Sequence, residues 1–269
     1  MPGGGLWRQT LMMTQPRIWA ERIEQTANVT DGDAERFAGY GIMAQPFTSG
    51  HMLALRRWPA TTLSRPYTSV WHRSPQEQWT FYSDAPARQS CPRYFSTAVE
   101  HTVQTPIELE WESDSVLRVR IAGDVGLDWR MALESNPLTG ALNAMSRVLP
   151  EPLWRQRWFL ASMGLMAGLA LSAGRMRLHG RVPNGQWFQA NPQLIWMVRD
   201  SSASLGGHDF GAIGPLARQA NLADLWMPQR GIFATARSFM EPYDAARHAL
   251  PLAPDSNSIR AGVAAHGLA

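Results

Sequence analysis

The stretch YTSVWHR at 67–73, followed by SPQE at 74–77 and QWTFYS at 78–83, decides the fold. Aromatic and β-branched residues fill both runs, and the joint between them is built of turn formers. The pattern predicts an antiparallel hairpin with strands Tyr67–Arg73 and Gln78–Ser83. With Ser74–Glu77 as the loop, Arg73 pairs with Gln78, so His72 faces Trp79 and Val70 faces Phe81. Those four share one largely apolar side. Tyr67, Ser69, Trp71, Arg73, Thr80 and Tyr82 share the other.

Similar runs extend to both sides. Gly41–Pro46 and His51–Trp58 precede the hairpin; Ile107–Glu112, Val116–Ile121 and Leu127–Ser135 follow it, the first two joined by a turn at Ser113–Ser115. Further on come Met176–Val182, Gln186–Gln189, Leu194–Asp200, Ser202–Leu205 and Gln229–Phe239, with Asn184-Gly185 as the clearest hairpin turn. Short strands punctuated by turn residues predict a single mainly-β domain over 39–250, an antiparallel barrel or sandwich. Residues 1–38 read as an N-terminal leader with a short helix near Pro16–Gln25, and 251–269 as a flexible tail.

An apolar helical segment at 138–173 interrupts the β pattern. Leu138, Leu142, Met145 and Leu149 recur at helical spacing. Pro150 and Pro152 then break the helix, and a second one is predicted over Leu153–Ala173. Its centre, Trp158–Gly174, carries no charge and falls just short of a membrane span. Three readings are open: a core helix covering the sheet, a lid over an apolar cavity, and peripheral membrane contact through 153–173. Gly164 and Gly168 permit a close approach to whatever lies beneath.

Composition excludes several chemistries. All 25 basic residues are arginine. A lysine Schiff base, lysine-held pyridoxal phosphate and a phosphate-loop lysine are therefore ruled out. The formal net charge is only +3, and the arginines are scattered among acids, so no nucleic-acid partner is expected. Cys91 is the single cysteine, which excludes an intrachain disulfide. With no signal-peptide pattern in the first residues, a cytoplasmic location is expected. The seven histidines lack metal-ligand spacing, and Gly39-Tyr40-Gly41 lacks the third glycine of a dinucleotide loop, so neither metal nor cofactor is expected. Twelve tryptophans either fill a core or line an aromatic pocket.

Strand alternation sorts the polar residues. Glu108, Glu110 and Glu112 oppose Arg118 and Arg120 on a solvated, charge-paired face, and Asp128 shares a face with Arg130 and Glu134. His72 differs, because its predicted neighbours are aromatic and apolar. His51 lies on the side of Leu53 and Leu55, with Arg57 at the end of that row. Tyr67, Trp71, Arg73 and Tyr82 form a mixed face suited to a second pocket wall.

The aromatic hairpin YTSVWHR (67–73) with WTFY (79–82), and the later GRVPNG (180–185), resemble uncharacterised bacterial β proteins. More remotely, the chain is similar to the lipocalin-like group of carotenoid 1,2-hydratases and cyclase-type pericyclases. That resemblance implies a cofactor-independent lyase or isomerase acting on a hydrophobic small molecule by hydration, dehydration, isomerisation or cyclisation. His72 would move the proton, and Tyr82 or Arg73 would stabilise developing charge. Trp71, Trp79, Tyr67, His51 and Arg57 would bind the ligand. The competing reading is a carrier that holds a hydrophobic ligand without turnover.

Overall fold

The computed structural model describes residues 15–249. The expected tail and the start of the expected leader lie outside the described residues. Ten strands form the backbone of one thirteen-stranded sheet: β1 Glu35–Ile42, β2 Met52–Thr61, β3 Tyr67–Arg73, β4 Trp79–Ser83, β5 His101–Gln104, β6 Glu108–Trp111, β7 Val116–Ile121, β8 Leu127–Glu134, β9 Trp187–Leu205 and β10 Ile232–Met240. The helices are α1 Pro16–Thr26, α2 Pro92–Phe95, α3 Pro137–Val148 and α4 Arg157–Ala170.

The spatial order is β5-β4-β3-β2-β1-β10-β9-β8-β7-β6. Every neighbour but one is consecutive in the chain; the exception is β1 beside β10, where all of β1 pairs with Phe233–Met240. All contacts along this path are antiparallel except β4 with β5. The sheet curls strongly. Trp111 of β6 and Phe233 of β10 have three strands between them, yet their ring centroids lie 5.9 Å apart. A flat sheet would separate them by about 19 Å. The expected mainly-β architecture is therefore present as a half-barrel, whose edge strands β5 and β6 are joined by residues 105–107.

Curling divides the core. Inside, Leu55, Val70, Val119, Trp129, Trp196 and Phe233 belong to one continuous cluster drawn from both arms of the sheet. On the opposite face of β1–β4, Phe37, Trp58, Tyr67, Trp71 and Phe81 pack beneath a cover made from α2 and residues around 182 and 216–227. Helix α1 closes the inner cluster with Ala20 and Trp19. Its Glu24 is held by both Arg57 nitrogens, at 2.8 and 2.9 Å, and by the Tyr40 hydroxyl at 2.8 Å.

The hairpin that opened the analysis of the chain has its strands where the sequence puts them, but its register is shifted by one. Ser74 pairs with Gln78, donating its N–H to the Gln78 carbonyl at 2.8 Å, and Glu77 adopts a left-handed φ of 67°. A three-residue loop ending in a left-handed residue uses one residue more than a plain turn. His72 consequently opposes Thr80 and Val70 opposes Tyr82, while Trp71 opposes Phe81 and Arg73 opposes Trp79. Tyr82 thus shares the face of His72, not that of Tyr67 and Trp71.

Three predicted segments, Gln186–Gln189, Leu194–Asp200 and Ser202–Leu205, fuse into the 19-residue β9. Pro192 does not end it, because the register against β10 shifts there in a bulge. Asn143 of α3 repairs the interrupted ladder, donating to the Ile195 carbonyl at 2.9 Å and accepting from the Ile195 N–H at 2.8 Å. Only His179–Arg181 of the predicted strand Met176–Val182 is extended. The second predicted helix is shorter than Leu153–Ala173: a 3-10 turn, Glu151–Arg155, precedes α4. The predicted charged face holds, with Asp128 gripped bidentately by Arg118 and Arg130 paired with Glu112.

Two glycines set the spacing of β1 against β2. A Cβ on Gly39 or Gly41 would lie 2.0 Å from the carbonyl of Arg57 or Leu55. Gly41→Ala is therefore expected to destabilise the fold by about 3 kcal/mol through backbone displacement. Gly140, within α3, has no atom within 4 Å of such a Cβ. Gly140→Ala should stabilise by about 0.5–1 kcal/mol through helix propensity. Urea unfolding of the two variants checks both signs.

Candidate functional site

The cavity that stands out is on the covered outer face of the sheet, not inside the curl. Its volume is about 120 Å³. The floor comes from neighbouring positions of β1 and β10, where small residues meet: Gly41 opposite Ala234, with Ala236 next along β10. Ser238, opposite Phe37, continues the row. A large side chain at any of these would fill the space. Trp58, Tyr67 and Trp71 of β2 and β3 form one wall, Cys91, Tyr94 and Phe95 another, and Met176–Leu178 with Trp226 the rim.

The cover is tied down by Glu35 at the start of β1. Its carboxylate accepts from Arg93 at 2.8 Å, from the Tyr94 hydroxyl at 2.5 Å and from Gln186 at 3.2 Å. Asn184, in the hairpin turn read from the sequence, donates its N–H to the Tyr94 carbonyl and its amide to that of Arg93. The turn therefore positions the aromatic lid as well as reversing the chain.

Two arginines border this apolar chamber: Arg177 at the rim, paired with Asp224, and Arg56 within. Arg56 of β2 points to the cavity face with Ala54 and Trp58. Its Nη1 donates to the carbonyls of Ile42 and Leu55, at 2.6 and 2.9 Å, and its Nη2 to that of Met43 at 3.2 Å. The guanidinium stacks 4.6 Å over the Trp71 ring. No carboxylate among the described residues pairs with it. The residue is half-buried, and the surface it retains borders the cavity; burial of the guanidinium pulls its pKa down to about 10. It stays a cation at neutral pH, held by carbonyl dipoles and an aromatic face instead of an acid.

The phenol and thiol groups of the lining are neutral near pH 7. Burial pushes the Tyr67 and Tyr94 phenols well above the ordinary range. The Cys91 thiol, 3.5 Å from the Tyr67 hydroxyl, is raised by burial too. The chamber thus offers a fixed positive charge and protonated hydroxyl and thiol groups, and no base.

The sequence-predicted residues divide among different places. Tyr67 and Trp71 line the cavity. Trp79 packs in the same outer cluster without reaching the lining. Arg57 is occupied by Glu24 and does not face a pocket. Arg73 is buried, bridging to Glu77 at 2.9 Å and to the Gly50 and Ser74 carbonyls. Tyr82 belongs to the inner cluster. His72 and His51 come together, Nε2 to Nδ1 at 2.9 Å, with the His51 ring stacked 3.9 Å from Phe210. They lie on the other face of β2 and β3 from the cavity.

Arg56 escaped the sequence reading because Arg56-Arg57 presents two adjacent arginines of opposite fate. Alternation separates them: Arg57 follows Leu53 and Leu55, whereas Arg56 follows Met52 and Ala54. The rows Gly39-x-Gly41 and Ala234-x-Ala236-x-Ser238 were the other available signal.

A second cleft, of about 420 Å³, lies between α1 and the end of α3 and includes Arg22, Arg147 and Arg237. Its walls are as polar as they are apolar, unlike the chamber at Arg56.

No family model matches the chain, and no curated relative matches it. Among solved structures, the chain is similar to an acetoacetate decarboxylase from Legionella pneumophila, at 11% identity and a TM-score of 0.37, over 86% of this chain and 95% of that one.

Burial first, and then the charge of His51, depress the His72 pKa to about 4. Unfolded, the same imidazole titrates near 6.5, so between those values the unfolded chain binds more protons. The stability His72 contributes is complete above about pH 6.5 and lost as the pH falls toward 4, on the order of 3 kcal/mol. Thermal unfolding followed from pH 7.5 to 4.5 should show this slope, and His72→Gln should flatten it.

Proposed function

We propose that the chain binds a small apolar organic anion, a carboxylate on an aromatic or short branched skeleton, in the chamber at Arg56. The observation carrying this reading is a half-buried arginine with no acidic partner among the described residues, in a largely apolar cavity. A buried cation without an anion is costly, and its planar fork matches a carboxylate. The volume of about 120 Å³ supports a ligand near the size of one aromatic ring. Trp58, Trp71 and Phe95 supply flat walls.

Between carrier and enzyme, the chamber favours the carrier. Acid–base turnover needs a group that exchanges a proton near neutrality, and the cavity walls hold none. The enzyme reading, a lyase or isomerase using His72, draws its support from the His51–His72 contact; it requires the substrate to reach the inner face of β3.

Isothermal titration with benzoate and with its neutral counterpart benzyl alcohol tests the proposal. Benzoate should bind more tightly. Arg56→Met should weaken benzoate about thirtyfold, the equivalent of about 2 kcal/mol for a lost charge-assisted contact, and leave benzyl alcohol unchanged. Ala236→Leu should abolish both, and His72→Gln neither. Equal affinity of the two ligands for the unaltered protein would sink the anion site, and turnover abolished by His72→Gln would revive the enzyme reading.

A further inference from the structure

Helix α4 is apolar on both faces. Leu160, Met163, Gly164 and Gly168 are buried. The glycines let the helix press onto the segment that follows it: a Cβ on Gly164 would stand 2.7 Å from the Met176 carbonyl, and one on Gly168 2.3 Å from that of Gly174. The opposite face should then be polar, as on an ordinary surface helix. Instead Trp158, Leu165 and Leu169 are 64%, 64% and 74% exposed. At 100° per residue these three fall within about 40° of one another, a single outward ridge. Val148, at the end of α3, adds a side chain 78% exposed.

Arginine dominates the chain around this ridge, with Glu151 just before it and Asp224 paired to Arg177. From Pro152 to Arg199 the chain contains six arginines and no acidic residue. Arg155 and Arg157 sit at the start of α4, where the helix dipole is already positive and no acid occupies the first turn. Arg157 stacks 4.5 Å over Trp187, and Arg175, beyond the other end, 4.6 Å over Trp226. An apolar ridge with an aromatic residue, flanked mainly by arginines, has as its complement a surface with negative headgroups above hydrocarbon. No helix among the described residues is long and apolar enough to cross a membrane, so the contact lies in the interface plane.

We propose that α4 docks the protein onto an anionic lipid surface, with Trp158, Leu165 and Leu169 in the acyl boundary and Arg155 and Arg157 at the headgroups. The inference does not depend on the Arg56 chamber, although Met176–Leu178, which follow α4, are part of that chamber's rim.

Flotation of the full chain with vesicles of phosphatidylcholine alone, and with 30% phosphatidylglycerol, tests it. The protein should float with the anionic vesicles at least tenfold better than with the zwitterionic ones, and added salt should weaken the binding. Leu165→Glu with Leu169→Glu should abolish flotation while circular dichroism and melting temperature stay as in the unaltered protein. If that variant does not fold, Leu165→Ser with Leu169→Ser carries the same expectation. Arg155→Gln with Arg157→Gln should remove most of the preference for phosphatidylglycerol. Absence of flotation, or flotation indifferent to the leucine substitutions, would overturn the proposal. So would a dimer in sedimentation velocity that the leucine substitutions dissociate while vesicles fail to bind, since the ridge would then belong to a second copy.

Discussion

Eight residue pairs join Glu35–Ile42 to the strand Ile232–Met240, and the rest of the fold hangs on that seam. Without it the sheet would be two separate meanders, β1–β5 and β6–β10. With it, the two arms face each other across one apolar interior that includes Trp129 and Trp196. The seam also fixes the outer face. Gly41, Ala234 and Ala236 sit side by side only because these strands pair in this register, and their smallness leaves the chamber open. Close approach has its own requirement: β2 passes near enough to β1 that glycine alone fits at 39 and 41.

Arg56 and the histidine pair show two ways of keeping polar groups inside. Arg56 retains its charge, because carbonyl oxygens and the Trp71 ring surround the guanidinium and the cavity remains available to an anion. The histidines give theirs up. A single N–H shared between His51 and His72 needs at least one neutral ring, and burial favours that form in both. The first arrangement waits for a ligand; the second is complete without one.

Much of the sheet was legible. Strands Tyr67–Arg73 and Val116–Ile121 have the bounds read from the sequence, and the alternation of the latter carries the charged face of β6–β8. What alternation does not carry is register. One left-handed residue, Glu77, moved Tyr82 to the other face, and Glu is not a residue whose type announces that conformation. The gap left between Gln189 and Leu194 has a related origin, since a proline that breaks a strand and one that sits in a bulge look alike locally. The site was least legible because its cover, residues around 91–95 and 216–227, has no periodicity, and its contacts are set by hydrogen bonds to Glu35 and Asn184 from remote parts of the chain. The apolar interruption at 138–173 was visible, but that one of its faces packs and the other does not is a property of the fold.

The seam between the first and last strands also fixes an order of events. Its partners are separated by nearly the whole described length, from Glu35 to Met240, so it is among the contacts of greatest sequence separation. During synthesis the β1–β5 arm leaves the ribosome long before Ile232 does, and until then β1 is an open edge lined by an unfinished floor. Loop closure across some two hundred residues therefore assembles the chamber last, and ligand capacity becomes a report on completion of the chain.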